Sequence, residues 1–375
     1  MINIHWLGAG LSSIPGIRRL ARKKIPLTVW NRNLEKAKKS IDHVSSSWIQ
    51  AKEYNLSELE SSIKSGDILV SQLPANMHYD IANICIKNKC HFASTSYLSK
   101  EINSFDTSAK KNKLVFINEV GLDPGIDHFF SHLLVQNLEK NGFEDIDVSY
   151  KSYCGGIPAL PNKFKYKFSW SPVGVIKALN NKAIYIDNYK KQSVTPYKNI
   201  KNFNINNEIF EAYPNRNSIP YIDEYMFPKK WKIKEFVRGT LRLNGWSDAW
   251  KEIFIMLDNN SANLDQQINE KSLDLLNLYK YKENEEDRVV LWVNLEASKN
   301  NKKIWNQTFH LDEKGKGENT AMAKLVSLTL SAAIDLILDN KIHSGVQAAP
   351  SNKKNIDYFF EILKEHSIQI KYNNH

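Results

Sequence analysis

Cysteine is scarce: Cys85, Cys90 and Cys154 are the only 3 in 375 residues. That is too few for a disulfide framework, and the spacing fits no zinc-binding pattern. Cys85 and Cys90 read as small buried apolar residues where a helix meets a strand, whereas Cys154 precedes Gly155 and Gly156. Long apolar runs are lacking as well. The nearest, LVSLTLSAAIDLIL from Leu325, contains Asp335 and is patterned as a helix rather than apolar all round, so no membrane partner is expected. MINIHWLGAG lacks the basic leader and small-residue cleavage site of a signal peptide, which favours a cytoplasmic location. No concentrated basic arm interleaved with aromatics accompanies the formal charge of +10. The lysines are dispersed among asparagines and acids, the mark of a compositional bias, so no nucleic-acid partner is expected.

What is present suits a globular enzyme. Hydrophobic residues make up 42% and charged ones 25%, over a length sufficient for two cores. In the first third, INIHWLG, LTVWNR, GDILVSQLP, CHFASTS and KLVFINEVG read as buried strands, separated by helical patterns. This alternation predicts βαβ units and a doubly wound parallel sheet of the Rossmann kind. After Gly125 the pattern changes. IDHFFSHLLVQNLEK is helical; FEDIDVSYKSYC, KFKYKFSWS, KAIYIDNYKK, IKEFVRGTLRL, DRVVLWVNLEASK and KIWNQTFHLDE alternate and are rich in aromatics. They predict a mixed, largely antiparallel second sheet in an α+β domain. NSANLDQQINEKS is the most linker-like stretch, and a final helix is expected over about 319–340. The expected division is a dinucleotide-binding domain over 1–124 and a substrate and dimerisation domain over 125–344, with 345–375 returning to the first.

The first strand runs into Gly8-Ala9-Gly10-Leu11-Ser12-Ser13 and then a helix. Gly8 suits a tight turn, and Gly10 lets the backbone approach a pyrophosphate at the helix N-terminus. Such a pattern also fits a plain structural turn. The flanking strand and helix favour a nucleotide site at Gly8, Gly10, Leu11 and Ser12. NAD enzymes carry an acid at the end of the second strand; here the sequence is Val29-Trp30-Asn31-Arg32-Asn33. Arg32 can pair with a 2′-phosphate and Asn31 can hydrogen-bond to it, so NADP is favoured, with NAD still open. The alternative is a solvated charge in a loop. Leu73 and Pro74, after a later strand, are expected to line the nicotinamide side.

NEVGLDPGIDHF, residues 118–129, gathers Asp123, Asp127 and His128 among Gly121, Pro124 and Gly125. Carboxylates near a histidine fit a metal site; glycines and a proline at a strand end fit a loop that bends beside a ligand. With SYCGGIPALP, YKFSWSPVGV, AYPNRNSIPY, VRGTLRLNG and MAKLVSLTLSAAIDLILDNKI, in this order and spacing, the stretch resembles the saccharopine dehydrogenases of the glutamate-forming type, also called saccharopine reductases. The resemblance spans almost the whole chain. Three departures stand out. The region after Trp246 is shorter than the helical insert of fungal members, the segment after the double glycine is trimmed to PALPNKFKYKF, and Val173 stands where a charged residue usually follows SWSP.

The resemblance implies an NAD(P)-dependent oxidoreductase of lysine metabolism acting on a CH–NH group. Saccharopine is a glutamate joined through its nitrogen to the ε-carbon of lysine. Oxidation at that carbon, followed by hydration of the imine, releases 2-aminoadipate 6-semialdehyde and glutamate. The family reaction needs no metal, so residues 118–129 read as a substrate loop in which Asp123 and Gly125 face the ligand and Asp127 caps the next helix. Such a site must hold several carboxylates and move protons. Arg216 is the foremost carboxylate clamp; Arg238 and Arg242, i and i+4 on one strand, share a face. Ser96, Tyr97 and Cys154 match family positions in the pocket, and Asp123 with Tyr97 or Cys154 is a candidate to order the attacking water. Each has a plainer alternative as a surface arginine, a packed aromatic or a buried thiol. Two other functions stay open: a related dehydrogenase acting on a carboxylated polyamine or another amine–keto acid conjugate, and a non-catalytic NADP-binding protein. A homodimer through the aromatic-rich sheet is expected.

Overall fold

Apolar runs without polar alternation belong to strands covered on both faces, and the first third of the chain folds accordingly. The computed structural model describes residues 2–259 and 262–374. Seven parallel strands form one sheet in the order Gly345–Gln347, Val115–Ile117, His91–Ser94, Ile68–Ser71, Ile4–Leu7, Leu27–Asn31, Ile49–Glu53. The strand order reverses beside Ile4–Leu7, and the crevice outside the C-terminal ends at such a point is where α/β sheets bind ligands. Leu7, Trp30, Leu69, Phe92 and Phe116 form its core with no exposed surface.

The chain divides into two compact units, Met1–Phe129 with Ala323–Ile368, and Phe130–Met322 with Gln369–His375. The limits differ from the expected 124 and 344. The first boundary falls inside helix Ile126–Glu139. Most of helix Ala321–Leu338 belongs to the first unit, because helix Ile14–Ala21 lies directly against it. The Gly16 N–H donates to Ser327 Oγ (2.8 Å), and Arg19 reaches Ser331 Oγ (3.2 Å) and the Asp335 carboxylate. By length and composition helix Ala321–Leu338 would suit a membrane span, yet most of it is buried here. Of the segment 345–375, strand Ile370–Asn374 pairs instead with Lys302–Lys316 in the second unit.

The second unit is built on a nine-stranded mixed sheet. Its main order is Lys201–Ile205, Glu208–Pro214, Lys232–Leu243, Asp147–Pro158, Glu286–Lys299, Lys302–Lys316, Ile370–Asn374, and the hairpin Ala183–Asp187 with Lys190–Val194 joins beside Lys232–Leu243. All pairings are antiparallel except Lys232–Leu243 with Asp147–Pro158. Three of its hairpins turn on residue pairs with positive φ: Asn188-Tyr189 (49° and 64°), Asn206-Asn207 (50° and 67°) and Asn300-Asn301 (51° and 61°). Asparagine tolerates this region, and the mirror-image two-residue turns it forms match strand twist. Two expectations are corrected. KFKYKFSWS is a loop, with a lone bridge from Phe168 to Lys280, because Phe164, Tyr166 and Phe168 pack onto Trp250 rather than pairing with a strand. NSANLDQQINEKS is largely helix Leu264–Tyr279, which buries Ile268, Ser272 and Leu275; its Asn260 and Ser261 lie outside the described residues.

A Cβ on Gly16 would lie 2.2 Å from the Ser327 carbonyl oxygen. Gly16→Ala gains about 1 kcal/mol of helix propensity, but overpacking costs typically 1–3 kcal/mol and here meets backbone. The substitution is expected to lower the melting temperature; a rise would show that the two helices separate freely.

Candidate functional site

The loop after strand Ile4–Leu7 is shaped for an anion. Gly8 has φ +102°, with the Gln72 carbonyl oxygen 3.0 Å from where a Cβ would stand. Nothing lies within 4 Å of a Cβ on Gly10, so the backbone there is open to close approach. Ala9 N–H donates to Asn31 Oδ1 (3.1 Å) and Gly10 N–H to Ser13 Oγ (3.2 Å). Among the described residues the N–H groups of Leu11 and Ser12 have no acceptor, and Leu11 is exposed. Arg32, exposed at the end of strand Leu27–Asn31, has no carboxylate partner among the described residues. Open backbone, spare N–H donors at a helix start and an unengaged guanidinium fit a phosphorylated dinucleotide. Leu73 is half-buried against the core and Pro74 is exposed, both just past Ile68–Ser71.

The residues of the 118–129 stretch engage one another. Tyr97 Oη donates to Asp123 Oδ1 at 2.9 Å. The Asp127 carboxylate accepts the Gly125 N–H (2.7 Å) at the start of helix Ile126–Glu139, and His128 Nε2 lies 2.8 Å from Glu119 Oε2. Glu119 Oε1 in turn accepts the Leu98 N–H (2.7 Å), fastening the turn that carries Ser96 and Tyr97. Sequence reasoning passed over Glu119, although it stands in the quoted stretch, and also His78, which contacts Ser96 Oγ at 2.8 Å. Its signal was slight: a lone histidine at a helix start.

In the second unit, register places Cys154 beside Thr240 and Ser152 beside Arg238, with Tyr213 opposite Thr240 and Glu211 opposite Arg242. Cys154, Arg238 and Arg242 therefore share one face of the sheet. Cys154 is buried, as are Cys85 and Cys90, whose thiols burial pushes up, Cys90 to about 12. Arg238 is 4% exposed and its guanidinium stacks 4.0 Å from the Tyr221 ring centre. Arg242 is 5% exposed, ringed by Tyr166 (5.0 Å), Trp246 (5.4 Å) and Tyr213 (5.5 Å). Its Nη1 donates to the Leu241 carbonyl (3.1 Å), its Nε is buried without an acceptor, and no described carboxylate lies within ion-pair distance. Burial raises the Tyr213 hydroxyl to about 12 against the opposing pull of the Arg242 charge, so that phenol stays neutral and does not balance the cation. Arg216 differs: it is exposed, in left-handed backbone (φ 57°), and its carbonyl accepts the Ile184 N–H. The expected foremost clamp is thus the least desolvated of the three arginines.

Comparison with known proteins accords with this geometry. Residues 4–117 match the model for the saccharopine dehydrogenase NADP binding domain, and residues 121–368 the model for the saccharopine dehydrogenase C-terminal domain. The chain is similar to saccharopine dehydrogenase [NADP(+), L-glutamate-forming] of Pyricularia oryzae, 29% identical over 97% of this chain and 96% of that one. It is similar to the Schizosaccharomyces pombe protein of the same name, 27% identical over 99% of this chain and 98% of the relative. In fold it resembles apo saccharopine dehydrogenase (L-Glu forming) from Saccharomyces cerevisiae, with TM-score 0.82, 24% identity and full coverage of both chains. The chain belongs to the saccharopine dehydrogenase family.

Proposed function

We propose that the protein interconverts saccharopine with 2-aminoadipate 6-semialdehyde and glutamate, using NADP. The observation that carries the substrate reading is Arg242, buried among aromatic rings with no described carboxylate to balance it. A desolvated guanidinium with spare donors is matched by a carboxylate, which it holds in a two-pronged geometry. Saccharopine brings three carboxylates. Arg242 and Arg238 hold carboxylates from the buried face, and Arg216 a further one from an exposed loop.

The dinucleotide, when bound, takes up or returns the hydride. Leu11, Ser12 and the open backbone at Gly10 receive its phosphates, Arg32 and Asn31 its 2′-phosphate, and Leu73 and Pro74 flank the nicotinamide. Asp123, fixed by the Tyr97 hydroxyl, is an acceptor that orients the attacking water and takes its proton. Cys154, on the face of the arginines, is a further candidate to order that water. Ser96 and Gly125 contact the substrate beside Tyr97 and Asp123. A dehydrogenase for a carboxylated polyamine would need fewer clamps than these three arginines, and a non-catalytic binder has no use for a buried unbalanced cation. The relatives' names support the saccharopine reading. We also propose a homodimer through the aromatic-rich sheet; a monomer at micromolar concentration in sedimentation would refute it.

Purified protein should oxidise saccharopine with NADP, followed by the absorbance of the reduced nicotinamide. Arg242→Lys keeps the charge but not the fork. Loss of one hydrogen bond to a charged group costs about 1.5–3 kcal/mol, so KM for saccharopine should rise roughly tenfold or more while NADP binding is unchanged. Arg216→Ala should have a smaller effect, because exposed ion pairs contribute only about 0.2–1 kcal/mol. Normal KM in Arg242→Lys would remove that residue from the site.

Arg32→Asp should weaken NADP by about tenfold or more, the contribution of a hydrogen bond to a charged group, and leave NAD nearly unaffected. Titration of the reduced cofactors by fluorescence measures both; equal losses would refute the role of Arg32.

A further inference from the structure

Strands Ile68–Ser71 and His91–Ser94 end side by side, with Ser71 in register with Ser94. His78, the first residue of helix His78–Asn88, is 4% exposed and bridges these strand ends. Its Nδ1 lies 2.9 Å from Ser71 Oγ; its Nε2 lies 2.8 Å from Ser96 Oγ and 3.4 Å from Ser94 Oγ. The Phe92 ring meets the imidazole edge-on at 6.1 Å. Burial pushes the His78 pKa down to about 4, so near neutral pH the ring carries one N–H and one lone pair.

Which nitrogen holds the proton follows from the donors that must be satisfied. Ser71 is fully buried, and among the described residues its hydroxyl has no partner other than Nδ1. A buried O–H without an acceptor is costly, so the Ser71 proton points at Nδ1, which must be the lone pair. Nε2 then carries hydrogen and donates to Ser96 Oγ. Ser94 is buried as well and would offer its own proton to Nε2, but over 3.4 Å, against 2.8 Å for Ser96 and 2.9 Å for Ser71; the two short contacts decide the tautomer.

We infer that His78 is a positioning residue that, through the chain Ser71 to His78 to Ser96, makes Ser96 a hydrogen-bond donor toward a carboxylate oxygen of the substrate. The Ser96 oxygen is engaged by the imidazole N–H, and its own proton is left for an external acceptor. Ser96 is half-buried and precedes Tyr97, whose hydroxyl is committed to Asp123, so the two neighbouring side chains have opposite duties. One faces the ligand as donor; the other holds a proton acceptor in place. This inference rests on the reading of Ser96 as a substrate residue and adds the atom type that it meets.

Nitrogen-15 NMR of the full-length, ligand-free protein, labelled at histidine, reads the tautomer directly, with the His78 signals identified by their loss in His78→Asn. A neutral ring protonated on Nε2 near pH 7 is expected; protonation on Nδ1, or a cationic ring, overturns the inference whatever the substrate is. In kinetics with saccharopine, Ser96→Ala should raise KM roughly ten- to hundredfold and leave NADPH binding unchanged. His78→Asn should raise KM in the same direction, yet add nothing in a Ser96→Ala background; additive effects overturn the proposed chain. Should His78→Asn fail to fold, Ser71→Ala removes the hydroxyl that holds Nδ1 as the lone pair, and should mix the two tautomers and raise KM part of the way; an unchanged tautomer with an unchanged KM overturns the proposed chain. Absence of saccharopine turnover by the unaltered protein would refute the functional reading alone, and the tautomer would still decide this one.

Discussion

Closure of the turn from Gly121 to Gly125 is the constraint on which the placement of Asp123 depends. The Gly121 N–H donates to the Pro124 carbonyl (2.9 Å), the Ile126 N–H to the Gly121 carbonyl (3.0 Å), and the Gly125 N–H to the Asp127 carboxylate (2.7 Å). Gly125 has φ +145°, and a Cβ on it would stand 2.1 Å from the Gly121 oxygen, so a larger residue forces the turn open. With the backbone groups satisfied inside the turn, Asp123 reaches the Tyr97 hydroxyl. Glu119, in left-handed backbone at φ 60°, adds a second tie by accepting the Leu98 N–H, with the His128 ring beside its other oxygen. The acid is thus held by backbone, before any ligand arrives.

The arginine face follows a different logic, one of incomplete compensation. Cation–π contacts contribute about 0.5–2 kcal/mol each, whereas removing a charge from water costs several kcal/mol. Three rings around Arg242 therefore reduce the cost of burial without cancelling it. Among the described residues no carboxylate stands within ion-pair range of Arg242 to make up the remainder. At Arg242 the same deficit disfavours a second cationic group close by.

Much of the architecture could be read from residues alone, and the failures have physical causes. The buried strands of the first unit are apolar throughout, and nothing else of that length and flanking is consistent with such runs. Ile49–Glu53 went unseen because an edge strand, IQAKE, needs little apolar surface. Alternation misled at KFKYKFSWS, where rings on one side of the segment pack against Trp250 instead of belonging to a pleated strand. The abundance of asparagine was attributed to composition, yet Asn206-Asn207 and Asn300-Asn301 mark the turns of hairpins in the second sheet. At the site, Asp123, Tyr97 and the glycine loop were legible through motifs. The ranking of the arginines was not, since exposure depends on neighbours such as Tyr166 and Trp246 that no local pattern brings together.

The first unit is discontinuous in the chain, and this governs the order in which it can be made. Its seventh strand, Gly345–Gln347, and the helix against Gly16 are translated after the whole of the second sheet but one strand. That last strand, Ile370–Asn374, comes later still. Domains whose segments are contiguous can fold as they leave the ribosome, N-terminal part first. Here helix Ile14–Ala21 emerges early but lacks the helix it packs on until nearly everything else has been synthesised. The sheet of that unit is completed only by Gly345–Gln347, so the edge at Val115–Ile117 stays unpaired while more than 200 further residues are added.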